Sequence, residues 1–137
     1  MELVSHYARM WPRDIFDVAE EGRTKLVLKD HPELKQSGVY ILYRDENPYY
    51  VGQAKSLYRR LHDHANKSTD RYFNFWNYFS AFVVPNSEHL DEVEGILIAS
   101  MTSANRAVPR LKLIEFPREA AKVLRAARRR RLGLDPR

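Results

Sequence analysis

Apolar and polar positions change period along this chain, and each change predicts an element. Gly38–Tyr43 reads Gly-Val-Tyr-Ile-Leu-Tyr, a β-branched and aromatic run that predicts a strand. At a period of two, Val39, Ile41 and Tyr43 share one face, and Tyr40 and Leu42 share the other. The polar break Arg44-Asp45-Glu46-Asn47-Pro48 supplies turn chemistry, and Tyr49–Gly52 returns as a second strand in a hairpin. The period then lengthens. Ala54, Leu57, Tyr58, Leu61 and Ala65 form a stripe that predicts a helix over Ala54–Ala65. Arg60 and His64, four residues apart, share another face of that helix. Phe79–Val84 is a third strand candidate, ended by Pro85. A further helix is expected from Ser87 or Glu88 to about Ser103. Its core stripe is Leu90, Val93, Leu97 and Met101, widened by Ile96, Ile98 and Ala99.

The flanks carry weaker patterns. Pro12 suits a first helical turn, and Ile15, Phe16 and Ala19 recur at helical spacing before Gly22, so one N-terminal helix is expected. Residues 23–36 stay open: Thr24–Leu28 fits a short strand or part of a helix, and Pro32 interrupts any regular element. Leu111–Phe116 is a possible short strand after Pro109, and a basic terminal helix runs from about Arg118 to Arg131. Together these elements predict a small α/β fold, with a central, mostly antiparallel sheet of about three strands flanked by helices. The expected organisation is a helical extension over residues 1–36, a main domain over 37–116 and a basic helix or tail over 117–137.

Composition agrees with a globular chain. Of 137 residues, 44% are hydrophobic and 30% charged, the balance of a single soluble domain. The absence of cysteine excludes disulfides, cysteine nucleophiles and thiolate zinc sites, and permits a reducing cytoplasm. Met1–His6 lacks the basic and apolar regions of a secretory signal, and no apolar run approaches the roughly 20 residues of a membrane span. The expectation is a cytoplasmic protein with no membrane partner.

Charge is uneven. Residues 117–137 hold eight Arg/Lys against two acids, or +6, whereas the other 116 residues hold 15 basic and 16 acidic side chains, or −1. Arg128, Arg129, Arg130 and Arg131 suit a polyanion such as nucleic acid, or equally the solvated end of a terminal helix. The aromatic run Tyr72–Phe79, interleaved with Asn74 and Asn77, suits either base stacking or core packing. Glu94 lies beside an apolar stripe. A carboxylate there needs a cation, which is either a bound ion or an Arg or Lys.

The hairpin and its helix would bring two phenols, a guanidinium and an imidazole within reach of one phosphate. In this arrangement Gly38-Val39-Tyr40 and Tyr50-Val51-Gly52 resemble the two signature tripeptides of the GIY-YIG nuclease superfamily. The continuation Gln53-Ala54-Lys55-Ser56-Leu57-Tyr58-Arg59-Arg60-Leu61-His62-Asp63-His64 is similar to that of phage homing endonucleases and of the bacterial excision-repair incision subunit. Arg60 matches the family's catalytic arginine, and His64 the position of a histidine or tyrosine. Glu94-Gly95-Ile96-Leu97-Ile98 matches the metal-binding glutamate and its Leu-Ile, and Asn105 matches a late asparagine. The resemblance covers roughly residues 37–106.

The resemblance implies an endonuclease that hydrolyses DNA phosphodiester bonds. Glu94 would hold one Mg²⁺ or Mn²⁺ ion, as hard oxygen ligands do. Arg60 would bind phosphate oxygens, and Tyr40 would position or activate water with His64 as proton relay. Tyr50 would orient water or phosphate. Lys55 would add positive potential, and the arginine tail would add backbone affinity. Two rivals stand beside this reading: a non-catalytic nucleic-acid-binding module that keeps the fold, and a protein-interaction domain using the aromatic run.

Overall fold

A computed structural model describes residues 2–17, 31–67, 69–70, 75–101, 111–113 and 115–133. Four strands form one antiparallel sheet: β1 (His6–Pro12), β2 (Gly38–Arg44), β3 (Asn47–Ala54) and β4 (Tyr78–Val83), in the spatial order β1-β4-β2-β3. Among the described residues the helices are α1 (Asp14–Asp17), α2 (Leu57–Asn66), α3 (Leu90–Ser100) and α4 (Arg118–Arg131). Short 3-10 turns cover Pro32–Lys35 and Ser87–His89. The α/β class and the antiparallel hairpin agree with the sequence. No described helix is long and apolar enough to cross a membrane.

The centre of the fold is β2, and its alternation sorts the core. Tyr40 and Leu42 pack with Leu57, Leu61 and Ala65 of α2, Phe16 of α1, Leu34, Trp76 and Phe79. Val39 and Ile41 pack on the other side with Val51, Val84, Leu90 and Val93. The sheet thus lies between α2 on one face and α3 on the other. The two-residue loop Asp45-Glu46 closes the hairpin between Arg44 and Asn47. Asp45 takes a positive φ of 56° there, which its short polar side chain tolerates. Asn77 secures the loop, accepting from the Asp45 amide at 2.7 Å and donating to its carboxylate at 2.9 Å.

Four expectations need correction. The N-terminal stretch contributes a fourth strand, β1, that takes in Pro12; the helix expected there begins after it, at Asp14, and is described as far as Asp17, with Ile15 and Phe16 in it. A bulge between Ala8 and Trp11, with Met10 at a φ of 52°, breaks the alternation that would announce a strand. Pro12 is accommodated because β1 is an edge strand. The helix expected from Ala54 starts at Leu57, because β3 continues to Ala54, paired with Gly38, and Ser56 caps the helix. Leu111–Phe116 forms no strand among its described residues, and Leu111, Leu113 and Phe116 are exposed. On α3, Ile96 and Ala99 face solvent rather than widening the core stripe.

The aromatic run divides. Trp76 and Phe79 are buried, while Phe75 is exposed and stacks on Tyr49 with ring centres 5.5 Å apart. Trp11 meets Phe79 edge-on at 5.9 Å. Residues 18–30, Tyr72–Asn74 and Asn105 lie outside the described residues.

Candidate active site

The two signature glycines are explained by close approaches. A Cβ on Gly38 would collide with the Phe82 carbonyl of β4 and with Leu57. A Cβ on Gly52 would lie 2.6 Å from the Tyr40 hydroxyl oxygen and 2.8 Å from the Tyr50 ring. Gly52 is also the register partner of Tyr40 across the hairpin. The phenol of Tyr40 therefore lies directly over a residue that must lack a side chain. Tyr50 flanks it with ring centres 6.1 Å apart.

Helix α2 supplies the next groups. Ser56 Oγ accepts from the Arg59 amide, an N-cap that fixes where the helix begins. Counting from that start, Leu57, Leu61, His64 and Ala65 turn inward. His64 is 1% exposed, and its Nε2 lies 2.7 Å from the Tyr40 hydroxyl. Its Nδ1 lies 2.8 Å from Asp70 Oδ1, beyond the end of the helix. A carboxylate only accepts, so Nδ1 carries the proton and Nε2 is the acceptor for the Tyr40 O–H. The Arg60 guanidinium hydrogen-bonds the same Tyr40 hydroxyl.

The electrostatics follow from burial. Burial first, then Tyr50, hold the Tyr40 phenol well above its ordinary value of 10.0, and the Arg60 hydrogen bond and charge offset this only in part. Burial lowers His64 below its ordinary 6.5, outweighing the upward pull of Asp70, with the Arg60 charge adding to the depression. Burial alone would weaken Arg60, but its interactions with Tyr40, and the nearby Asp70, more than compensate, so it stays charged. At neutral pH the resting state is a neutral phenol donating to a neutral imidazole, with a fixed cation beside both.

Glu94 sits on α3, across the sheet edge from α2. The Gln53 amide at the end of β3 donates to Glu94 Oε1 at 3.2 Å and to Asp91 Oδ1 at 2.8 Å. No arginine or lysine pairs with this half-buried carboxylate among the described residues. Two grooves meet at this end of the sheet. One is lined by Arg59, Arg60, Asp63 and Ser56, the other by Ser87, Leu90 and Asp91, and Gln53, Ala54 and Lys55 line both. Lys55 is thus placed between the Arg60 and Asp91 sides. Arg60 thus lines one groove and Asp91 the other, so a cation and a carboxylate flank the tip of β3, two of the groups that phosphate hydrolysis needs.

Comparison with known proteins decides the family: the family model of the GIY-YIG catalytic domain matches residues 36–105. The chain belongs to the GIY-YIG family. Among solved structures it is similar to the GIY-YIG N-terminal endonuclease domain of UvrC from Thermotoga maritima. Two point mutants of that domain, each bound to its catalytic divalent cation, match with 28% identity over 64% of this chain and 96% of theirs, with TM-scores of 0.48 and 0.49. No curated protein matches the chain.

The fold of this GIY-YIG chain places Tyr40, Tyr50, Arg60 and His64 together, and Glu94 around the edge of β3 from them. It does not bring Arg128, Arg129, Arg130 or Arg131 into this cluster: they form the last turn of α4, no residue of which is buried. Asp70 and Gln53 are two further members that sequence reasoning passes over. Asp70 lies six residues past His64 beyond a helix end, so no periodicity links them. Gln53 stands directly after the second tripeptide, and its amide is the one local signal of a partner for an acid.

Proposed function

We propose that this GIY-YIG protein is a divalent-metal-dependent endonuclease that hydrolyses DNA phosphodiester bonds. The observation that carries the reading is the buried hydrogen bond from Tyr40 to His64, with Arg60 on the same hydroxyl at the rim of a cleft.

Only about 0.1% of a free phenol is ionised at neutral pH, and burial makes Tyr40 a still poorer source of phenolate. A relay avoids that species. The Tyr40 oxygen accepts a proton from water as its own proton passes to His64 Nε2. The water oxygen bonds to phosphorus, the bond to the leaving sugar oxygen breaks, and that oxygen takes a proton from solvent. Arg60 holds the non-bridging oxygens as charge builds on them. Tyr50 orients the water or phosphate, and Lys55 draws the backbone into the cleft.

The donor set fits a hard cation. Among the described residues Glu94 is met by a neutral amide, and Asp91 shares that amide. Among the same residues no group of three or more His, Cys, Asp or Glu could enclose an ion, which suits Mg²⁺ or Mn²⁺ keeping most of its waters. The ion would supply Lewis-acid neutralisation of the phosphate and leaving oxygen. The arginines of α4 supply sequence-independent affinity for the DNA backbone.

Supercoiled plasmid tests this. Wild-type protein with Mg²⁺ or Mn²⁺ is expected to nick it, while Arg60→Ala and Glu94→Ala are expected to lose at least about 10²-fold in rate. Binding without nicking under every metal and substrate tried would leave the non-catalytic nucleic-acid-binding module as the function.

A further inference from the structure

We propose that Asp70 is a positioning residue of this site, holding His64 in the single tautomer that can receive the Tyr40 proton and stabilising the imidazolium that results. This rests on the nuclease reading above. It adds a residue outside the helix and outside both signature tripeptides, and it extends the hydrogen-bonded chain behind the proton path to three side chains.

The geometry is specific. Both His64 nitrogens are engaged, at 2.7 Å and 2.8 Å, and the imidazole is 1% exposed while the Asp70 carboxylate is 10% exposed. Water is therefore a poor substitute for either partner. Without a fixed acceptor at Nδ1, the neutral ring could protonate Nε2 instead, and would then have no lone pair for Tyr40. When the proton does arrive, a buried imidazolium forms with Arg60 nearby, which disfavours it. A carboxylate against the ring offsets that cost.

Other charged or titratable groups facing His64 are Tyr40, Tyr50, Arg60 and Asp63. Asp70 is the acid hydrogen-bonded to the ring. A purely structural account would have Asp70 merely tie the segment after α2 to the body. The two accounts differ in what the charge does. Asp70 raises the basicity of His64, so its loss lowers the pH at which His64 becomes protonated. If neutral His64 is the acceptor, activity falls where His64 protonates. Removing the charge should then shift the acid limb of the rate to lower pH and reduce the plateau, since a weaker base accepts the proton less well.

The test uses Asp70→Asn in the full chain, which keeps size and an acceptor oxygen. Nicking of supercoiled plasmid by excess protein with Mn²⁺ is followed from about pH 5 to about pH 8, and the His64 ring is titrated by NMR in both proteins. The expected result is a plateau lowered by about 10²-fold, an acid limb moved to lower pH, and a matching fall in the His64 titration midpoint. Wild-type rates with an unmoved limb overturn the proposal, as does a loss of rate with the limb and the His64 midpoint unchanged. A wild-type chain that cleaves nothing overturns the nuclease reading and this one together. Cleavage abolished in Arg60→Ala but intact in Asp70→Asn overturns this one alone. Asp70→Glu, which restores the charge, is expected to recover the limb position.

Discussion

Tyr40 lies where a side chain on Gly52 would be, and that single fact accounts for a glycine on a strand that otherwise disfavours one. A methyl at this position would press on the Tyr40 hydroxyl at 2.6 Å and on the Tyr50 ring. Tyr40 cannot swing away freely, because it is held by His64 and packed in the core. Gly52→Ala is expected to destabilise the fold by about 1–3 kcal/mol and to cut nicking more than that loss of folded protein explains. A urea midpoint alongside a plasmid assay at full folding checks both. Residue by residue, Tyr40, Tyr50, Arg60, His64 and Glu94 are reached from the sequence because their joint spacing matches the motifs of the GIY-YIG resemblance. Asp70 is not, because an interaction that crosses a helix end leaves no periodic trace.

Among the elements, α2 presents Arg60 and His64 and is held at both ends. Ser56 sets its beginning. At its far end Arg13, just after β1, donates to the Ala65 carbonyl at 2.9 Å and to the Trp76 carbonyl at 3.3 Å, with its guanidinium 5.2 Å from the Trp76 ring centre. A cation on the last carbonyls of a helix satisfies acceptors that the helix leaves open and suits its dipole. The residues after β1 thereby brace the helix that presents Arg60 and His64. Arg13→Met, which keeps much of the apolar stem, is expected to lower stability by roughly 1–2 kcal/mol, read as a shift of the urea midpoint. Strands β2 and β4 are legible as apolar runs and α2 as a 3.6-residue stripe. Strand β1 is not: its bulge at Ala8 to Trp11 erases the alternation, and Pro12 argues locally for a helix start. The end of β3 and the start of α2 mislead for one reason. Ala54 fits an apolar helix stripe, but its backbone is still paired with Gly38.

At the scale of the molecule, the site is split by the sheet. Tyr40, Arg60 and His64 lie with α2, Asp91 and Glu94 with α3, and the tip of β3 joins them through Gln53 to Lys55. Net charge is distributed on a different plan, being +6 over residues 117–137 and −1 elsewhere. Helix α4 exposes Val123 and Leu124 as well as its arginines, and no described residue of it is buried. Attraction to DNA and cleavage of DNA are thus expected to separate by mutation. Replacing Arg128, Arg129, Arg130 and Arg131 together by glutamine is expected to weaken binding uniformly across sequences. The slope of log affinity against log salt should fall by about 3–4, near one unit for each phosphate no longer neutralised, while the rate at saturating protein holds. Fluorescence anisotropy over a salt series checks the slope.

The two tryptophans of the chain stand in different neighbourhoods. Trp11 lies on the edge strand against Phe79, whereas Trp76 is buried beneath Arg13, with an indole N–H that meets no acceptor among the described residues. Each indole is therefore an internal lamp on a separate part of the fold. Removing one at a time by Phe lets emission report the outer strand and the brace of α2 independently. Coincident unfolding curves would mark one cooperative unit, and an earlier Trp11 transition would mark an edge strand that releases first.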